Sequence, residues 1–514
     1  MAGVDVQELL TKPNKTKKEI ISVFYFLSKH DFDQAYNFIR GICEEKGGVL
    51  WPYIYKLYIL ALKGEKIEVM RQSALLLKFT KSFDEYKADT FAIDVYTAMR
   101  EAFYAGHRDV LAALNDLAMR IRPYGKSIIS KSDEGKPLAR EEFKAKILDE
   151  TKKFMSGETE LPLITRLHRK QVIKPIESFK DRKVLCVFRQ HVYSFPTSRE
   201  LELIDFYERS ADATPLNYRA FLSDVLVHAP LYEEDIYEKE LDRLEEEIRQ
   251  WKPDIVYFDN LLAHTNEDAQ AKLFTRLEGL KKKYGFILAA FYIDVWTLVQ
   301  ETATKRVADL ADIIHITHST LLDQLSEEVR QKTYCFPCPY PKEIFDWPEI
   351  KKSQFAGFHG SLLEVRLPWV LAMEKEDVNL YMHFSSHQAS DDLGTMEGYG
   401  KAISRFKVSV VLSARNTIQT SITGTVWESM LAGSVIFEEK CEETRLYFVP
   451  FVHYIPFASI HQLKAYLTYL REDEEIMDLI NKNAQLFFEE SYHPNLFWSG
   501  LLSMADEIRT KEHP

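Results

Sequence analysis

Apolar positions near the start of the chain recur with helical spacing. Ile20, Val23, Phe24 and Leu27 fall at i, i+3, i+4 and i+7, which places them on one face of a helix. Phe32, Ala35, Phe38, Ile39 and Ile42 repeat the pattern after a polar break at Lys29-His30-Asp31. Further helices are predicted over 50–62, 67–79, 84–105 and 107–121, with interruptions at Lys63-Gly64-Glu65 and at Gly106. Starts near Lys17, Leu50 and Phe83 lie 33 residues apart, close to the period of tetratricopeptide-like hairpins. The consensus small and aromatic residues of that repeat are not evident, so residues 1–123 read as a generic stack of α-hairpins.

Residues 124–180 are charged and irregular. Ser130-Lys-Ser-Asp-Glu-Gly-Lys-Pro137 is a turn cluster, and Glu141–Phe154 predicts one exposed helix in what reads as a connector. From residue 181 the pattern becomes short apolar runs alternating with amphipathic helices. Strands are predicted at 183–188, 252–258, 286–293, 311–316 and 332–336, giving one doubly wound α/β domain over 181–345. The pattern restarts with strands at 354–359, 378–384, 408–412 and 434–437. Helices near 396–405, 425–431, 460–471 and 474–489 complete a second such domain over 346–514. The predicted fold is therefore α/β, with two Rossmann-like lobes and a cleft between them, preceded by an all-α hairpin region.

The chain has 514 residues, 46% of them apolar and 28% charged, a globular profile with no apolar stretch long enough to span a bilayer. Acidic residues near the amino terminus do not fit a signal peptide, and a cytoplasmic location is expected. Five cysteines, with one Cys335-Phe-Pro-Cys338 and no second matching pair, predict ordinary thiols and no metal site. The net charge of −12 is uneven: residues 1–180 carry 31 Lys and Arg against 25 Asp and Glu, and the remainder is acidic. That body is a poor surface for nucleic acid. The basic first third suits an acidic protein partner or peripheral membrane contact, although a solvated helical surface explains it equally well.

Candidate chemistry concentrates in the second lobe. Thr423, Gly424 and Thr425 open a predicted helix whose free N–H groups suit a phosphate. Glu428, about one turn in, could accept two hydrogen bonds from a ribose diol. The structural alternative is a plain helix start with an exposed glutamate.

The segments Thr425-Val-Trp-Glu-Ser-Met-Leu-Ala-Gly-Ser-Val-Ile-Phe437, Tyr454-Ile-Pro-Phe-Ala-Ser-Ile-His-Gln-Leu-Lys-Ala-Tyr-Leu467 and Glu472-Asp-Glu-Glu-Ile-Met-Asp-Leu-Ile-Asn-Lys-Asn-Ala484 resemble the carboxyl lobe of GT-B glycosyltransferases. Within that group the likeness is to the spore-maturation-type enzymes. It covers about 355–495 well and 183–345 more weakly, and it does not extend to the helical first third. The resemblance implies transfer of a sugar from a nucleotide diphosphate sugar to a hydroxyl acceptor such as a protein or glycan, with no further cofactor. It places Glu428 on the donor ribose, Gly360 and Ser361 near the donor phosphates, and Arg366 at a basic position soon after them. Arg415 is an added candidate for balancing diphosphate charge. Retaining relatives carry a second glutamate where this chain has Thr420, and many carry a His-Asp pair where it has Ile293-Asp294. Asp294, Asp259 and His191 are the candidate bases, with His264 a further alternative. A non-catalytic nucleotide-sugar-binding scaffold and another GT-B-fold enzyme, such as a sugar-nucleotide epimerase, are the competing readings.

Overall fold

The computed structural model describes residues 12, 15–46, 49–80, 85–121, 135–170, 173–188, 200–228, 234–259, 267–292, 301–360, 362, 366–384, 396–414 and 420–512. The predicted hairpins are present as helices Lys17–His30, Phe32–Glu45, Trp51–Leu62, Lys66–Phe79, Glu85–Tyr104 and Arg108–Ile121. Thr16 starts the first with a capping box: its hydroxyl accepts from Glu19 N–H, and Glu19 accepts from Thr16 N–H. Gly64 ends the third helix at φ +69°, where a Cβ would lie 2.5 Å from His107 Nδ1, so backbone conformation and close approach both demand glycine. The last hairpins do not stand apart. Leu57, Val95, Met99 and Leu114 share one apolar core with Trp369, Met373 and Phe437 of the second lobe.

In the connector, helix Arg140–Met155 corrects the expectation of an exposed helix. Phe143 and Ile147 are buried, and Phe143 stacks on Tyr466 at 4.4 Å between ring centroids. A predominantly charged sequence hid two core positions spaced i, i+4. The helix Leu163–Lys170 follows.

Among the described residues the first lobe holds six parallel strands: β1 (Lys183–Phe188), β2 (Asn217–Leu222), β3 (Ile255–Asp259), β4 (Ile287–Tyr292), β5 (Ile313–Ile316) and β6 (Thr333–Cys335). Their order is β2-β1-β3-β4-β5-β6. The second holds β7 (Gln354–Gly360), β8 (Tyr381–Phe384), β9 (Phe406–Val411), β10 (Val435–Glu439) and β11 (Tyr454–Phe457), ordered β11-β10-β9-β7-β8. All the pairings are parallel. β3 and β4 are buried throughout and β1 is buried after Lys183, which is why they read as unbroken apolar runs. In each sheet the winding reverses direction beside the first strand, between β1 and β3 and between β7 and β9. In open α/β sheets such switch points open a crevice beyond the carboxyl ends of the strands.

Two doubly wound lobes behind a helical region is the expected architecture. The final helix, Pro494–Glu512, packs on the first lobe. Trp498 Nε1 donates to Ser210 Oγ at 3.0 Å, Tyr334 Oη donates to Phe497 O at 3.0 Å, and Arg509 binds Asp254 at 3.0 Å.

Candidate active site

Most of the described donor-side candidates gather at the switch point of the second sheet. Strand β7 ends at Gly360, and a Cβ placed there would lie 3.6 Å from Arg366 Nη1. Arg366 caps helix Leu367–Lys375 and is only 6% exposed. His359, one residue before Gly360, packs its ring on Tyr399 at 4.5 Å between centroids. The Tyr399 hydroxyl in turn donates to Glu428 Oε2. Glu428 lies in helix Gly424–Leu431 and is 6% exposed. A Cβ on Gly424 would lie 3.0 Å from Glu428 Oε1 and 3.0 Å from Tyr340 Oη, so only glycine leaves this carboxylate its present position. Gly360, Arg366, Gly424 and Glu428 therefore belong to one continuous chain of contacts, although they are far apart in sequence.

The helix start has donors to offer. Thr423 is its extended N-cap, at φ −106° and ψ 156°, with no side-chain capping bond. The buried Thr423 Oγ1 has no hydrogen-bond partner. Intrahelical bonding begins with Val426 N–H to Thr423 O at 3.0 Å, so the N–H groups of Gly424 and Thr425 precede the ladder. An orphan hydroxyl and two first-turn N–H groups are anion donors at this helix start, and the buried Arg366 lies just past the end of β7.

The structure places Asp259 as the last residue of β3, buried and paired in register with Phe291 of β4. It stands at the switch point of the first sheet. Thr420 forms an antiparallel bridge with Ala414, just upstream of helix Gly424–Leu431. Ser361, Arg415, His191, His264 and Asp294 lie outside the described residues, as does Ile293.

Sequence reasoning missed a group of buried carboxylates at the end of β10. Glu438 accepts from Ser413 Oγ at 2.5 Å and from Thr444 Oγ1 at 2.8 Å. Burial, opposed by those two bonds and reinforced by Glu439 and Glu443, pushes its carboxyl up to about 8. Glu439 accepts from Trp369 Nε1 at 2.8 Å and Ala414 N–H at 3.1 Å. Glu443 joins the lobes. It accepts from His318 Nδ1 at 3.3 Å, Ser319 Oγ at 3.2 Å and Thr320 N–H at 3.4 Å in the first lobe, and from Ile422 N–H at 2.9 Å in the second. Ile422 directly precedes Thr423, so this carboxylate ties the start of helix Gly424–Leu431 to the opposite lobe. Tyr399 and Tyr340 were also missed. Among the described residues no group of His, Cys, Asp and Glu has the arrangement of a metal site.

No protein-family model matches the chain, and no curated protein matches it. Solved structures do overlap it. HepE from Anabaena, in complex with UDP, aligns at 11% identity over 64% of this chain and 99% of its own, with a TM-score of 0.41. An α-glucosyltransferase, in complex with UDP and a mismatched DNA, aligns at 12% identity over 63% and 100%, with a TM-score of 0.42. Sucrose-phosphate synthase from Thermosynechococcus elongatus aligns at 10% identity over 62% and 98%, with a TM-score of 0.40. Overlaps this loose carry no argument of their own, and the fold is read from the two sheets.

Proposed function

We propose that the chain is a glycosyltransferase of GT-B architecture that takes its sugar from a nucleotide diphosphate sugar. The observation that carries this reading is the placement of Glu428 beside Gly424, one turn into a helix that opens at the switch point of the second sheet. Glu428 accepts the ribose hydroxyls, exchanging its Tyr399 bond or adding to it. Gly424, Thr425 and the Thr423 hydroxyl donate to the diphosphate, and Arg366 balances its charge near Gly360. Ser361 and Arg415 are assigned to the same anion. As the bond between the anomeric carbon and the diphosphate breaks, charge grows on the phosphate oxygens, and preorganised donors lower the barrier by meeting it there.

The acceptor hydroxyl comes from the first lobe. Its oxygen attacks the anomeric carbon, and its proton passes to a base at that lobe's strand ends, for which Asp259, His191 and Asp294 are the candidates. Glu443 holds the lobes so that donor and acceptor meet in a space from which water is excluded. The acceptor class proposed is a protein or glycan hydroxyl. The helical region, sharing its core with the donor lobe, is proposed as the surface that receives the acceptor or a partner protein.

A thermal-shift screen against UDP-, GDP-, CMP- and dTDP-sugars tests the donor site, because a ligand that binds the folded state raises its midpoint. One nucleotide class should stabilise the wild type and leave Glu428→Ala unmoved. No shift with any donor at millimolar concentration would sink the reading.

A further inference from the structure

The connector and the second lobe line an open pocket of about 670 Å³ that shares no residue with the Glu428 cluster. That volume lies in the range of small-molecule sites. Its chemistry is two-sided. Phe448, Phe451, Tyr454, Phe457 and Tyr466 contribute buried aromatic surface, while Lys136, Lys146, Lys440 and Arg445 are exposed cations around it. Glu150 and Glu160 also line it, but both lie beside cations outside the lining: Glu160 pairs with Arg166, and Glu150 lies 4.0 Å from Lys153. Glu442 pairs with Arg445 at 3.2 Å and with Lys440 at 3.6 Å, so the four lining cations still outnumber the three carboxylates, Glu150, Glu160 and Glu442, at the pocket.

The aromatic wall is held in place at some cost. Phe451 sits at φ +63°, a left-handed conformation that strains a bulky residue. The turn is pinned by Phe451 N–H to Tyr454 O at 2.7 Å, and Lys146 Nζ stands 4.1 Å from the Phe451 ring centroid. A cation over a buried ring, at the mouth of a pocket in an otherwise acidic lobe, selects for a ligand with an apolar body and an anionic head.

We propose that this pocket binds an amphipathic organic anion, a phosphate carried on an aromatic or aliphatic body, with Lys146 and Arg445 on the phosphate and Phe451 against the body. The site is independent of the donor-site reading. Calorimetric titration of the full chain with naphthyl phosphate and farnesyl phosphate tests it, with naphthol and inorganic phosphate as controls. Saturable one-site binding of at least one amphipathic phosphate is expected, and which of the two binds distinguishes an aromatic from a lipid source. Each control should bind about tenfold more weakly or worse, the equivalent of one lost charge-assisted contact. Lys146→Glu and Arg445→Glu change exposed residues and should fold normally while losing about tenfold in affinity; Glu428→Ala should bind as the wild type does. Equal binding by the charge-reversal variants, naphthol binding as well as its phosphate, no binding of either phosphate, or loss of binding in Glu428→Ala would each overturn the proposal.

Discussion

The two lobes share a winding pattern and differ in how they bury polar groups. Beneath the first sheet runs a neutral chain. His315 Nε2–H donates to Phe336 O at 2.8 Å, which leaves Nδ1 to accept from Tyr257 Oη at 2.5 Å, and Tyr257 then accepts from Tyr207 at 2.6 Å. Burial pushes His315 down to about 3, so the chain carries no charge near neutrality. The second lobe instead buries Glu428, Glu438, Glu439 and Glu443 around the end of β10 and helix Gly424–Leu431. Buried carboxylates are costly unless they are bonded. Three of these four are held by donors on neighbouring loops and helices, whereas Glu428 has Tyr399 and faces Gly424 and Tyr340. A neutral chain holds the first lobe's interior together, and the buried carboxylate Asp259 stands apart from it at the end of β3. The carboxylates of the second lobe cluster where the lobes meet and where the proposed ligand sits.

Removing the interlobe carboxylate should have the largest effect. Glu443→Ala leaves His318, Ser319 and Ile422 without their acceptor in a buried site, and about 3–5 kcal/mol of stability should be lost in denaturant unfolding. A loss below about 1 kcal/mol would mean that the lobes are held without it.

Glu438 should make stability depend on pH. Burial holds its folded carboxyl at about 8, above the ordinary glutamate value of 4.5. The folded state therefore retains a proton that the unfolded state releases, and stability falls as pH rises from about 4.5 to 8. Glu438→Gln should flatten that fall by on the order of 2–4 kcal/mol across the window, read as midpoint against pH. Parallel curves for variant and wild type would contradict the burial of a protonated Glu438.

A smaller effect is expected at the donor helix. Gly424→Ala puts a methyl against Glu428 Oε1 and Tyr340 Oη, and nucleotide-sugar affinity should fall about tenfold with little change in unfolding midpoint. In the first lobe, Tyr257→Phe breaks the neutral chain and should cost about 1 kcal/mol, with no effect on donor affinity. A donor effect there would erase the contrast between the lobes.

Much of this organisation was legible in sequence because the central strands are buried on both faces and the hairpin helices on one. The two strands that the apolar runs did not reveal, β2 and β11, are both sheet edges. β2 alternates exposed and half-buried positions over most of its length, and β11 contains Pro456, which an edge tolerates. Gly424 and Glu428 were readable from the helix start. Glu443 was not, because Glu438-Glu-Lys-Cys-Glu-Glu443 looks like a solvated charge run. Only the return of the chain past β5 supplies the His318 and Ser319 donors that bury it. Tyr399 escaped for a related reason: nothing local marks a tyrosine whose partner lies 29 residues away.

The central claim is that Glu428 holds the donor nucleotide. Calorimetric titration of the stabilising nucleotide sugar into wild type and Glu428→Gln tests it most directly, since the amide keeps the size and removes the charge. A loss of about 10- to 100-fold, the range of a charge-assisted hydrogen bond, with an unchanged unfolding midpoint, is the predicted result. Equal affinity in the two proteins would contradict it and return Glu428 to a structural role.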